Sequence, residues 1–203
     1  MEILNLFPIA ICYENIDRKF TKKELEFVKQ CGIDCRKNAG NIRSKNSYVL
    51  EEKVFKNLKI KIQKYINEYI EKIICPNKKI ECYITQSWLN YTKPSQYHHE
   101  HNHVNSYLSG VLYFNADEKF DKIVFHKNEY PLIRIPIKKY NLYNSETWFL
   151  ENKTGLLLLF PSNLKHSVPF KQGKNTRISL SFNTFIKGQI GTEEHLTELK
   201  LNV

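Results

Sequence analysis

The sequence predicts a mainly β protein with helices at its N-terminal end, built as an antiparallel double-sheet jelly roll or barrel. Three observations carry this reading. From residue 80 onward, IECYITQSWLNY, SYLSGVLYFN, KIVFHK, TGLLLLFP and TRISLSFNTF are short β-prone runs separated by turn residues. No helical pattern intervenes between them, which argues against alternating strand–helix units and a parallel sheet. Aromatic residues make up 13% of the chain, with 12 Tyr and 12 Phe, and such rings pack well on pleated surfaces.

The elements follow in order. Residues 3–13 alternate loosely and are rich in Ile, Leu and Phe, which predicts a strand. Thr21 can cap a helix over 22–31, its hydroxyl accepting from free backbone amides while Glu24 completes a capping box. Residues 36–48 are polar and carry Gly, Asn and Ser, which predicts a loop. Val54, Leu58, Ile62, Tyr65, Ile66 and Tyr69 recur at helical spacing and predict a second helix over 51–74, ended by Pro76. The charged tail predicts a short terminal helix. A length of 203 residues fits one domain: strand and supporting helices over 1–79, a jelly-roll core over 80–186, and a tail over 187–203.

Composition excludes some classes. Hydrophobic residues at 41% and charged residues at 26% are ordinary for a soluble globular chain. A net charge of +10 admits a polyanionic partner. Lys predominates over Arg, however, and Asn and Ile are abundant, a mixture that AT-rich codons produce. A solvated basic surface is the simpler account. Cys12, Cys31, Cys35, Cys75 and Cys82 form no CxxC pair, so reduced thiols are expected rather than a zinc knuckle. The first residues have no basic n-region, and no apolar stretch approaches the ~20 residues needed to cross a bilayer. The expected location is the cytoplasm, with no membrane contact.

The chemistry concentrates in His98-His99-Glu100-His101-Asn102-His103, which holds four of the seven His. Imidazole is the commonest protein ligand for iron, zinc and copper. In extended chain, alternate residues share a face, so His99, His101 and His103 oppose His98, Glu100 and Asn102. Either face offers a two-ligand pair. A third ligand must come from elsewhere, and His126, His166 and His195 are the remaining His. His195 lies in the charged tail and His126 is isolated. His166 follows the apolar run LLLLF and the turn at Pro161-Ser162-Asn163. Eleven residues later, alternation in RISLSFN points Arg177, Ser179 and Ser181 to one face. Polar groups on an inward face are costly unless they bind something, and a guanidinium beside hydroxyls suits a carboxylate.

The ordered blocks SWLN, Tyr97-His98, H-x-H, SxLSGVLYF, GLLLLFPSxLxHSV and RISLSFN resemble a family of 2-oxoglutarate/Fe(II)-dependent oxygenases. That family is found in bacteria and tailed phages and is distantly related to prolyl hydroxylases. The resemblance covers about residues 85–185. It implies a double-stranded β-helix (jelly roll, cupin-like) with iron held by His101, His103 and His166. It also implies that Arg177 and Ser179 bind the far carboxylate of 2-oxoglutarate, with Tyr113, Tyr91 and Asn90 near it and Ser109 in support. Trp88, Tyr97 and Tyr107 are candidates for lining the pocket. His103 departs from the family, whose relatives mostly carry Asp or Glu there; Glu100 with His98 is the alternative pair.

The implied activity is hydroxylation of an unidentified substrate (protein, nucleic acid or small molecule), using O2 and 2-oxoglutarate and releasing succinate and CO2. A phage origin would put it in the cytoplasm of an infected host. Two rivals remain. One is a cupin-like three-His dioxygenase that needs no 2-oxoglutarate; Arg177 with Ser179 weighs against it. The other is a non-catalytic metal or nucleic-acid binding module, supported only by the positive charge.

Overall fold

A computed structural model describes residues 1–128 and 132–201. Its strands are β1 (Cys12–Asn15), β2 (Cys35–Lys37), β3 (Ile42–Ser44), β4 (Ile80–Thr92), β5 (His98–His101) and β6 (Leu108–Asn115). They continue as β7 (Lys122–His126), β8 (Thr147–Glu151), β9 (Leu156–Pro161), β10 (His166–Val168), β11 (Arg177–Ile190) and β12 (Leu199–Leu201). Two helices, α1 (Lys22–Cys31) and α2 (Lys56–Tyr69), precede the main strands. The larger sheet runs β1-β9-β6-β11-β4-β3-β2, with β12 also on β11, and the smaller runs β5-β10-β7-β8. All strand pairs are antiparallel, as the jelly-roll reading requires.

The larger sheet is covered on both faces, and this explains its sequence. On one side Phe55, Leu58, Ile62 and Ile66 pack against Leu89, Leu112, Leu157, Leu159, Leu180 and Phe182. On the other, Val111, Tyr113, Leu156, Leu158 and Phe160 meet Ile123 and Phe125 of the smaller sheet. A strand buried on both sides has no polar face, so LLLLF reads as an unbroken apolar run. Each such Leu, fully buried, stabilises by about 1.5–3 kcal/mol. Gly110 is required by the same packing: the Phe182 ring lies on it, and an added Cβ would stand 2.0 Å from Cζ.

Local chemistry sets the boundaries. Thr21 and Glu24 form the reciprocal capping box, and α1 spans the expected residues. The second helix begins later than periodicity predicts, because Glu52 has extended backbone and separates two short 3-10 turns ahead of α2. The expected strand over 3–13 is only β1; Leu4, Leu6 and Phe7 are exposed and pair with nothing described. The expected loop over 36–48 carries β2 and β3, a small hairpin that extends the larger sheet beside β4. The tail is also different. β11 passes residue 186 and turns at Gly191, with φ +68, to pair with β12 where a helix was expected. No helix among the described residues is long and apolar enough to cross a membrane.

Candidate metal centre

Pairing of β5 with β10 sets His101 opposite His166. His103 lies two residues past β5, its backbone N–H donating to Ser162 O at 2.9 Å and so fixing it beside the end of β9. The three rings converge: centroids are 4.4 Å apart for His101 and His166, 5.1 Å for His101 and His103, and 5.2 Å for His103 and His166. One nitrogen from each lies within 4.8 Å of the others.

The hydrogen bonds choose which nitrogen is free. His101 Nδ1 meets His99 O at 2.8 Å, and His166 Nδ1 meets Leu164 O at 3.0 Å. A carbonyl only accepts, so both Nδ1 atoms carry the proton and both Nε2 atoms keep a lone pair. His103 Nδ1 faces Asn183 Oδ1 at 2.5 Å and Ser109 Oγ at 2.9 Å. Such partners fix tautomer and ring angle in metal-binding imidazoles. Burial, aided by neighbouring His101, pushes His166 down to about 3, and burial lowers His101 and His103 as well. The rings are therefore neutral at pH 7, the state a metal requires.

Strict alternation along 98–103 fails at one place. Val168 pairs with His98 and His166 with His101, so three steps on β5 oppose two on β10. This bulge brings His98 round to the side of His101, their rings stacked 4.5 Å apart. Glu100 takes the other side, with Oε2 at 3.2 Å from His126 Nδ1 and Oε1 at 3.8 Å from Lys165 Nζ. It belongs to neither group of residues placed to hold an ion.

Beyond the imidazoles, the inner face of β11 is polar. Register places Arg177 beside Thr92, Ser179 between Asn90 and Tyr113, and Asn183 beside Ser109. Arg177 is 4% exposed; Nη2 donates to Thr92 Oγ1 at 3.1 Å, and Nε has no partner among the described residues. Asn90 donates to Ser181 Oγ at 3.0 Å while its buried Oδ1 stays unpaired. Unpaired buried polar atoms are rare and call for an explanation. Burial keeps the Tyr113 phenol protonated well above its ordinary range, against the pull of nearby Arg177. The field of Arg177 also reaches His98. Asp121 offsets part of that charge, but it is already committed to the buried Lys171, 3.0 Å away. These three groups leave one excess buried positive charge.

Two candidates fall elsewhere. Tyr91 occupies an outward position on β4; its hydroxyl donates to Val28 O at 2.5 Å, beneath α1, so it is no part of this pocket. Tyr107 likewise packs against the helical core. Trp88 stays close, its ring centroid 5.9 Å from that of His103, and Tyr97 packs at a tilt against Phe170. Sequence reasoning missed Asn183, Thr92 and the Asp121–Lys171 pair. Asn183 was within reach, since it continues the alternation of Arg177, Ser179 and Ser181.

A jelly roll with convergent imidazoles at one end of a polar, cationic interior has the layout of a metal-binding protein of the double-stranded β-helix class. Residues 86–183 match the model of a 2OG-Fe(II) oxygenase family. Comparison with curated proteins gave no match. Among solved structures, HygX from Streptomyces hygroscopicus, with nickel, 2-oxoglutarate and hygromycin B bound, is similar at 11% identity and TM-score 0.59, covering 87% of this chain and 82% of that one. A Pseudomonas putida prolyl-4-hydroxylase aligns at 13% identity and TM-score 0.54, covering 86% and 92%. A viral collagen prolyl hydroxylase from Paramecium Bursaria Chlorella virus-1 aligns at 14% and 0.53, covering 86% and 94%. At these identities the structures establish the shared fold.

Proposed function

We propose that this 2-oxoglutarate- and Fe(II)-dependent oxygenase holds iron through His101, His103 and His166 and hydroxylates a substrate still to be identified. The donor set fits: three neutral imidazoles supply Nε2 lone pairs on one side, and none of the three needs to lose a proton first. Iron bound there would supply O2 activation at the expense of 2-oxoglutarate, which leaves as succinate and CO2. Arg177 binds the far carboxylate, its free Nε and its Nη2 giving charge-assisted hydrogen bonds in a dry setting. Ser179 and the Tyr113 hydroxyl supply neutral donors beside it, and Asn90 holds the floor through Ser181. Tyr91 has no part in this. Residues 1–79 serve the same domain by covering the outer face of the larger sheet.

The observation that carries the reading is the buried, incompletely paired Arg177 on the strand that also positions His103 through Asn183. A neutral third imidazole leaves the metal's two charges uncompensated, and a dianionic co-substrate restores the balance. The three-imidazole set itself favours the second reading, a dioxygenase without 2-oxoglutarate. Calorimetry of the Fe(II)-loaded chain without oxygen separates the two. Saturable 2-oxoglutarate binding supports the proposal, and its absence in metal-loaded protein overturns it.

A further inference from the structure

We propose that His98, His99 and His101 form a second divalent-cation site at the lip of the pocket, sharing His101 with the inner site and competing with it. This goes beyond the proposed function and is built from a different observation, the bulge in β5. Regular alternation would send His98 and His99 to opposite sides. Because three steps on β5 oppose two on β10, the rings of 98, 99 and 101 gather instead. Centroids stand 5.1 Å apart for His98 and His99, 5.0 Å for His99 and His101, and 4.5 Å for His98 and His101. A nitrogen of each lies within 4.8 Å of the other two. His99 is exposed and the other two are half-buried, so an ion reaches this cluster from solvent before it reaches the buried His166.

Competition follows from one atom. His101 Nδ1 is committed to His99 O, so Nε2 is its single free donor, and one lone pair holds one ion. An ion held at the lip therefore removes a ligand from the inner set. Three imidazoles with no carboxylate suit borderline first-row dications, and affinity rises from Fe(II) towards Cu(II), with Zn(II) also above Fe(II). The lip site thus takes Co(II), Ni(II), Cu(II) or Zn(II), and an excess of these draws His101 outward.

The test is a Co(II) titration of the full chain, read by calorimetry and by the visible absorption of the bound ion. His103→Ala breaks the inner set and leaves the lip intact, so weakened but saturable Co(II) binding is expected. Adding His99→Gln to that variant should weaken the residual binding by more than the roughly 10–100-fold that loss of an outer-shell partner costs. In the otherwise unchanged chain, His99→Gln should leave inner-site affinity within a few-fold. No residual binding in His103→Ala, or residual binding indifferent to His99→Gln, overturns the proposal. His166→Ala allows the same comparison if His103→Ala does not fold, as judged by circular dichroism. Failure of the inner-site reading looks different: Co(II) affinity would then be unchanged in the single variant His103→Ala.

Discussion

Replacing Arg177 with Leu separates recognition of the co-substrate from retention of the metal. The guanidinium is 4% exposed, so its partner carboxylate would be desolvated with it. Truncating one member of a buried, hydrogen-bonded charge pair costs about 2–5 kcal/mol. At about 1.4 kcal/mol per decade, 2-oxoglutarate affinity should fall about 30-fold to several-thousand-fold. Folding should suffer little. Leu fills an apolar volume, Thr92 Oγ1 still accepts from Asn41 Nδ2 at 3.3 Å, and Asp121 keeps Lys171. The unpaired Nε, a group whose desolvation costs roughly 1–3 kcal/mol, is removed. Anaerobic calorimetry with Mn(II)-loaded protein measures co-substrate affinity, and a Co(II) titration measures the metal site. A change in 2-oxoglutarate affinity below tenfold, or an equal loss of metal binding, would refute the reasoning.

Other outcomes follow from the same geometry. His166→Ala should lower Fe(II) affinity at least about a hundredfold and abolish succinate production, whereas Glu100→Ala, facing His126 and Lys165, should leave Fe(II) affinity nearly unchanged in the same titration. Lys171→Met should cost about 3–5 kcal/mol in urea unfolding, because it strands Asp121 without its buried partner. Gly110→Ala should lower the midpoint of thermal unfolding clearly, since the Cβ meets the Phe182 ring. Metal-free protein should lose stability as pH falls below about 6.5. Burial holds His98 and His166 near 3, so the unfolded chain takes up protons that these rings refuse, and the loss continues until pH reaches about 3. Thermal melts between pH 8 and pH 4, with and without Co(II), should show this slope for the metal-free form and a steeper one when metal is bound, because acid also strips the ion from its imidazoles.

Features encoded by short-range rules were legible in the sequence. The Thr21–Glu24 capping box located α1, and the apolar runs and turn residues located β4, β6, β9 and the start of β11. Alternation in RISLSFN rightly set Arg177, Ser179 and Ser181 on one buried face. Where pairing between distant segments decides, the same rules failed. The bulge opposite β10 cannot be read from 98–103 alone, because it is a mismatch between two strands. Tyr91 was carried to the pocket by its spacing from His101, while the register of β4 on β11 turns it under α1. Residues 3–9 have strand-like composition and no partner, and composition alone does not make a strand.

The two sides of β11 divide its residues between separate duties. Arg177, Ser179, Ser181 and Asn183 face the pocket, while Leu180 and Phe182 hold the helices. A strand's side chains repeat every two residues, so inserting or deleting one residue near its start would exchange the two sets. The guanidinium would then lie under α1 and an Ile or Leu would face the pocket. Point substitutions in β11 can damage catalysis or folding separately, but a shift of frame must destroy both together. For anyone evolving this scaffold, the strand is a place to exchange side chains and never a place to change length.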